Sequence, residues 1–515
     1  MNPAPFSILI LGGGAAGWLT AAILAAEHGR ASGGQCDIVV VESPGIPTVG
    51  VGEGTWPSMR ETLRRIGLEE KQLFTDCEAS FKQGSLFVGW RTPAEEDAYY
   101  HPFSLPHGYF EQDLAHHSAD RSADRKYAYA VSPQPTICDA NLAPKQLQTP
   151  EYAGVLNYGY HFDAVKFGVC LRDHCTSRLG VTYLPAEVTE VELACDGSIA
   201  ALKTDAGERL AADLFIDCSG ARGLLIDKYL KVPFIDQSSV LFNDRAMAVQ
   251  IPYDSPDAPI ASVTRSTARS HGWIWDIGLP TRRGMGYVYS SRFSDAETVR
   301  RNFDEFLRPY LSENQLADLQ VRELEFFPGY RSEMWKSNCV AVGMSAGFIE
   351  PLEASALALI EHAAGIIRDL LPARVEHMAF SAKRYNRQML RHWSDIIDFL
   401  KLHYVLSQRS DSEYWTEHRD AASIPESLQE NLELWRHRSP AKQDFPLAQA
   451  LFPAASYRYV LNGMGYGCDW ARAPRKDRDD NRASVLQEEV KKQAEMYRRG
   501  LVGNRQLISQ LIAGR

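Results

Sequence analysis

The chain has no Cys-x-x-Cys pair, no second Gly-x-Gly-x-x-Gly, no block of basic residues and no apolar run of membrane-spanning length. Each absence removes a class of function. The nine cysteines, an odd number, are scattered at Cys36, Cys77, Cys138, Cys170, Cys175, Cys195, Cys218, Cys339 and Cys468. That spacing suits neither a zinc site nor a disulfide frame and reads as reduced, mostly buried thiols of a cytoplasmic protein. Acidic residues outnumber Lys and Arg, 65 to 55, giving a net charge of -10. This balance argues against a nucleic acid or an anionic membrane surface as partner. Phe6 to Ala26 is apolar enough to resemble a signal peptide, but no Lys or Arg precedes it and Gly12, Gly13, Gly14 and Gly17 interrupt it. A strand, a turn and a helix account for it better. No other segment suits a bilayer span.

What is present is a large chain, 515 residues and 45% apolar, enough for two or three layers around a sizeable core. Ser7–Leu11 is a short apolar run, hence a buried parallel strand; Gly12–Gly17 is a turn; Trp18–His28 is rich in Ala and helical. Asp37–Glu42 is a second buried strand, which completes a βαβ unit. Pro44 to Pro57 reads as a loop and Arg60 to Phe74 as a helix. The doubled Ser-Ala-Asp-Arg at 118–125 reads as a solvated loop. Strands are expected at Asp213–Cys218, through most of Ala246–Tyr289 and at Asn338–Val342; helices at Glu353–Leu371 and Met378–Tyr404. Arg475–Arg482 is charged and reads as an exposed connector in a helical C-terminal part.

The expected fold class is α/β, a Rossmann-like FAD-binding fold with a mixed, substrate-side β-sheet. No linker divides the chain, so 1–515 reads as one unit. Its FAD-binding module draws on about 1–80, 150–225 and 330–375; its substrate-binding part draws on about 81–149, 226–329 and 376–515.

The N-terminal unit carries the first chemistry. Gly12 permits a tight turn, Gly14 lets a pyrophosphate approach the backbone, and Gly17 lets the helix pack close to the strand. Ala15 and Ala16 open that helix, whose N-terminus offers N–H donors and a positive dipole end. Glu42 ends the next strand, where a carboxylate binds a ribose hydroxyl. A single fingerprint at the N-terminus, with a late return at Gly343-Met344-Ser345-Ala346-Gly347, favours FAD over NAD. With no second fingerprint for NAD(P)H, reducing equivalents would arrive from outside as reduced flavin. Trp273-Ile274-Trp275-Asp276-Ile277 places two Trp residues at i, i+2, on one face of an extended segment. That face could wall off part of a flavin pocket; the plainer reading is a pair of core residues.

Taken together the chain resembles the flavin-dependent halogenases of the tryptophan halogenase family. The matching pieces are Gly12–Gly17, Val49-Gly50-Val51-Gly52-Glu53, Phe81-Lys82, Tyr100-His101-Pro102-Phe103, Tyr160-His161-Phe162-Asp163, Trp273–Ile277 and Phe348-Ile349-Glu350-Pro351-Leu352-Glu353. The resemblance implies that reduced FAD and oxygen turn a halide, chloride or bromide, into hypohalous acid. The acid would travel through a tunnel to a lysine beside the arene. Lys82 matches that lysine and Glu353 the family's catalytic glutamate, with Glu350 the nearby decoy. The halide would sit on the amides of Ser355 and Ala356, and His101 and Phe103 would flank an indole. Val51, Val188, Met344 and Leu357 complete the implied cofactor contacts.

Two departures from the pattern stand out. Where the family often reads Glu-Ser-Thr-Gly, this chain reads Glu353-Ala354-Ser355-Ala356, so Ala356 is expected to restrict the backbone. Ile277 is followed by Gly278 and Leu279 before Pro280. The implied partners are a small aromatic substrate and a separate NAD(P)H-dependent flavin reductase; a homodimer is the base-rate expectation. Competing readings are a flavin-dependent aromatic monooxygenase and a non-catalytic flavin-binding protein. The first usually has an Asp where Met344 stands, and neither needs the Lys82 and Glu353 pair.

Overall fold

The computed structural model describes residues 6–45, 52–94, 96–117, 126–372, 374–445, 450–467, 477 and 479–514. The expected βαβ unit forms as strand Phe6–Leu11, helix Ala15–His28 and strand Cys36–Glu42, the two strands parallel and in register from Phe6 with Cys36 to Leu11 with Val41. They lie inside a six-stranded sheet. Its order is Trp335–Lys336, Cys339–Ala341, Leu214–Asp217, Phe6–Leu11, Cys36–Glu42 and Thr182–Pro185. All pairs are parallel except the outermost, Trp335–Lys336 with Cys339–Ala341. The central strands are apolar on both faces, as expected for a parallel sheet with both faces covered.

A seven-stranded sheet follows Arg322–Glu325, Arg245–Pro252, Arg282–Tyr289, Gly272–Gly278, Thr264–Arg269, Gly84–Val88 and Ala98–Pro102. It is antiparallel except where Thr264–Arg269 meets Gly84–Val88. Between the large sheets lies a small one in which Gly159–Asp163 pairs with both Gly52–Gly54 and Ser80–Lys82. Helix Met378–Val405 spans the molecule, and the C-terminal part is helical with loops. No helix among the described residues is long and apolar enough to cross a membrane.

Four sequence expectations need correction. The segment Pro44 to Pro57 is not all loop, because Gly52–Gly54 pairs as a strand. Arg60 to Phe74 is two helices, Ser58–Ile66 and Glu70–Asp76, broken at Gly67, whose φ of 78° ends the first. The helix expected from Glu353 runs instead over Ser355–Leu370, because Glu353 and Ala354 adopt left-handed conformations. The charged connector fails at both ends that can be described: Asp477 is buried and Asp480–Arg482 open the helix Asp480–Gly500. The doubled Ser-Ala-Asp-Arg lies outside the described residues. Of the described cysteines only Cys195 is exposed, and all are free.

Candidate active site

The glycine turn is shaped by close approaches. Gly12 has φ 117°, and a Cβ there would stand 2.2 Å from the carbonyl oxygen of Cys218. A Cβ at Gly17 would stand 1.9 Å from the carbonyl oxygen of Gly12, so helix and turn touch through bare backbone. Above Gly14 there is nothing within 4 Å. The following helix has no side-chain cap and no acid in its first turn, which leaves its N–H donors to an anion. The carboxyl of Glu42 packs over Gly13. The late segment comes back to this unit: a Cβ at Gly343 would lie 2.9 Å from Cβ of Ala16. Met344 is well exposed there, Leu357 is buried in its helix, and Val188 opens the strand Val188–Leu193. The turn, the uncapped helix and the open space over Gly14 fit a dinucleotide. Val51 lies outside the described residues.

Lys82 ends the strand Ser80–Lys82, which is pinned from both sides. Ser80 Oγ donates to the carbonyl of Gly278 at 2.6 Å, and Asn504 Nδ2 donates to the carbonyl of Phe81 at 3.1 Å. The side chain is wholly enclosed, and its Nζ has no hydrogen-bond partner. Room for it comes from Gly54, where a Cβ would sit 3.0 Å from Nζ. The amine lies 5.4 Å from the ring centre of Phe103. Burial lowers its pKa to about 8, against the pull of Glu353. Neighbouring His161 is pushed well below the usual histidine range by burial and by Lys82, so it stays neutral.

Glu353 sits in the turn before helix Ser355–Leu370, with φ 61°; Ala354 follows with φ 56°. Two left-handed non-glycine residues in succession cost about 1–2 kcal/mol each. The carboxylate is buried and held: Oε1 lies 2.6 Å from His101 Nδ1, and Oε2 accepts from Ser85 Oγ at 2.9 Å. Burial pushes its pKa up, but His101, His403 and Lys82 outweigh it and bring it down to about 2. The Glu353 carbonyl accepts the indole N–H of Trp56 at 2.8 Å. Ala356 is an ordinary helical residue, so the expected restriction at that position does not arise; the unusual backbone lies at Glu353 and Ala354.

Two cavities flank this turn. One is lined by Gly343, Met344, Phe348, Ser355 and Ala356. The other, of about 170 Å³, is lined by Trp56, His101, Phe103, Glu353, Phe452 and Tyr459 among others. His101 is a buried strand residue in an aromatic surround, rather than a loop histidine, with Phe399 and Tyr459 at 5.7 and 6.2 Å. Trp273 and Trp275 do share a face, their rings 6.4 Å apart, but neither lines these two cavities. Trp273 donates its N–H to Glu350 Oε2 at 3.0 Å. Glu350 also accepts from Asn243 and Tyr404, so it organises the wall behind the site.

Sequence reasoning missed Trp56, Ser85, Tyr99 and His403. A tryptophan in a Gly- and Pro-rich loop was a readable signal for Trp56, and the i, i+4 spacing of His403 from Phe399 put it on a buried helix face. The roles of Ser85 and Tyr99 come only from strand register.

The tryptophan halogenase family model matches residues 7–476. Tryptophan 7-halogenase RebH of Lentzea aerocolonigenes is 34% identical over 483 residues, 90% of this chain and 88% of its own. The crystal structure of a tryptophan halogenase from Shewanella frigidimarina superimposes with a TM-score of 0.94 at 45% identity, over 99% of this chain and 98% of that one. Tar14, a tryptophan C-6 flavin-dependent halogenase, gives 0.90 at 32% identity, over 98% and 99%. An agreement that runs through nearly the whole sequence and the whole backbone path places this chain in the tryptophan halogenase family.

Proposed function

We propose that this enzyme is an FADH2- and O2-dependent halogenase that delivers an electrophilic halogen to an electron-rich, indole-type arene through Lys82. The observation that carries the reading is the amine itself, enclosed, unpartnered and set over Phe103 on the cavity wall. Gly12, Gly14, Ala15, Ala16 and Gly17 would hold the pyrophosphate, Glu42 the ribose, and Val188, Met344 and Leu357 the remainder of FAD. Bound reduced flavin, with dioxygen, would supply hypohalous acid from halide. The amides of Ser355 and Ala356, at the start of a 16-residue helix that no side chain caps, would hold chloride or bromide.

With a pKa of about 8, roughly a tenth of the Lys82 amine is neutral at pH 7 and able to take up halogen on nitrogen; the ammonium form donates a hydrogen bond to the hypohalous acid. Glu353, held ionised, opposes the positive charge that builds on the ring and takes its proton. His101 and Phe103 flank the arene. A separate NAD(P)H-dependent reductase supplies the reduced flavin.

The test combines purified protein, FAD, a flavin reductase, NADH and bromide with an indole. Mass spectrometry should show the bromine isotope pair in the parent and not in Lys82→Ala. A hydroxylated product would assign the enzyme to monooxygenation instead.

A further inference from the structure

The cavity of about 170 Å³ beside Glu353 is walled by aromatic and aliphatic side chains, chiefly Trp56, Phe103, Leu105, Leu451, Phe452 and Tyr459. Apart from the Ser456 hydroxyl, which also lines it, its polar side chains are turned toward one another or toward the surrounding backbone. The Trp56 indole N–H donates to the Glu353 carbonyl, and the Tyr459 hydroxyl donates to the Ser104 carbonyl at 3.1 Å. Ser104 Oγ donates to Gln134 at 2.7 Å, and His101 is engaged with Glu353. Among the described residues Glu353 is the one formally charged side chain in the wall, and its carboxylate is taken up by His101 and Ser85.

The guanidinium groups tied to the surrounding elements are also committed. Arg60 donates to the carbonyl of Tyr152 and to Asn157, and it stacks on Tyr158 at 4.3 Å. Arg458 donates to the carbonyl of Pro440, lies 3.5 Å from Asp113 and stacks on Tyr109 at 4.6 Å. Lys82 Nζ lies 5.4 Å from the Phe103 ring but is not itself a lining residue, so among the described residues an entering carboxylate finds no cation in this wall and meets the negative field of Glu353. Desolvating an ion without an opposite charge is strongly unfavourable, whereas an apolar ring gains from every contact with such a wall.

We infer that this cavity takes an uncharged indole-type arene and selects against one that carries a carboxylate, free tryptophan included. The inference rests on the halogenase reading for the identity of the reaction, but it can be tested without turnover. Calorimetric titration of the FAD-loaded protein with 3-methylindole, indole-3-propionate and L-tryptophan keeps the ring constant and varies the charge. The expected result is at least about tenfold tighter binding of 3-methylindole than of either carboxylate. Equal or tighter binding of either carboxylate would overturn the inference.

A second arm uses Leu105, which lines the cavity and is 50% exposed, so that substitution leaves the core intact. Leu105→Arg should raise the affinity for indole-3-propionate relative to 3-methylindole by roughly fivefold or more; no relative gain would count against the wall as the discriminating element. Bromination of the same three compounds, run in parallel, separates the two readings. No product from any of them with selective binding intact would sink the halogenase reading and leave the cavity's preference standing.

Discussion

Nε2 of His403 stands 3.6 Å from Oε1 of Glu353, with no other partner, while its Nδ1 lies 2.6 Å from the Tyr99 hydroxyl. Burial first, then Glu353 and Asp97, raise the Tyr99 hydroxyl well above its usual range, so it remains a donor. Burial also lowers His403 to about 3, so the ring is neutral and its proton sits on Nε2, facing the carboxylate. Glu353 is thus surrounded by donors from three elements: His101 and Ser85 on neighbouring strands and His403 on the long helix.

Removing one donor should move the carboxyl. In His101→Phe the upward push of burial loses its largest counterweight, with His403 and Lys82 left to oppose it, and Glu353 should protonate at a higher pH. Halogenation by the parent should be insensitive to this group down to pH 5. In His101→Phe it should fall roughly tenfold or more between pH 8 and pH 6. A pH–rate profile checks this, and an unchanged acid limb would remove His101 from the role.

Lys82→Met should abolish halogenation and yet stabilise the fold. The folded amine titrates near 8 and the unfolded one near 10.5. Between these values the unfolded chain binds a proton that the folded chain does not, so the parent's stability rises with pH across that window. Below pH 8 the cost of the buried charge is fully present, on the order of 3 kcal/mol with the pull of Glu353 already included. Urea unfolding at pH 7 should therefore show Lys82→Met more stable by about 1–3 kcal/mol, with the gap narrowing toward pH 10.

Gly14 and Gly17 should separate binding from folding. Gly17→Ala drives a methyl into the Gly12 carbonyl and should lower both yield and thermal stability. Gly14→Ala adds a methyl to open space at an unstrained φ of -75°, so stability should stay within about 0.5 kcal/mol. If a pyrophosphate lies over Gly14, FAD affinity should nonetheless drop about tenfold or more, measured by quenching of flavin fluorescence.

Glu350 should prove structural. Trp273, Asn243 and Tyr404 all donate to its Oε2, and burial raises its pKa. Glu350→Ala should cost about 3 kcal/mol or more by stranding three buried donors, and Glu350→Gln, which keeps an acceptor, much less. Chemical denaturation of both variants reads the difference.

The N-terminal βαβ unit was legible from the chain because local features define it: an apolar strand, close-packed glycines and an acid at the next strand's end. Lys82 and Glu353 were legible through a family pattern, although nothing local distinguishes Lys82 from a surface lysine. The left-handed pair Glu353-Ala354 was not legible, since neither residue favours that region and the tertiary frame imposes it. The register that sets Ser85 opposite His101 is likewise a property of pairing and not of either strand. The two tryptophans shared a face as their spacing predicts, but that face is committed to Glu350 and Gly286.

The turn at Glu353 to Ala356 is a shared partition: Ser355 and Ala356 border one chamber while Glu353 borders the other. If, as proposed, Ser355 and Ala356 hold the halide and the cavity beside Glu353 takes the arene, attempts to retune the two choices by substitution in this stretch will interfere with each other. Leu451, Phe452, Pro453, Ala455 and Ser456 border the second of these two cavities and not the first, so on the proposed reading they offer a place where directed evolution can reshape regiochemistry without disturbing the halide.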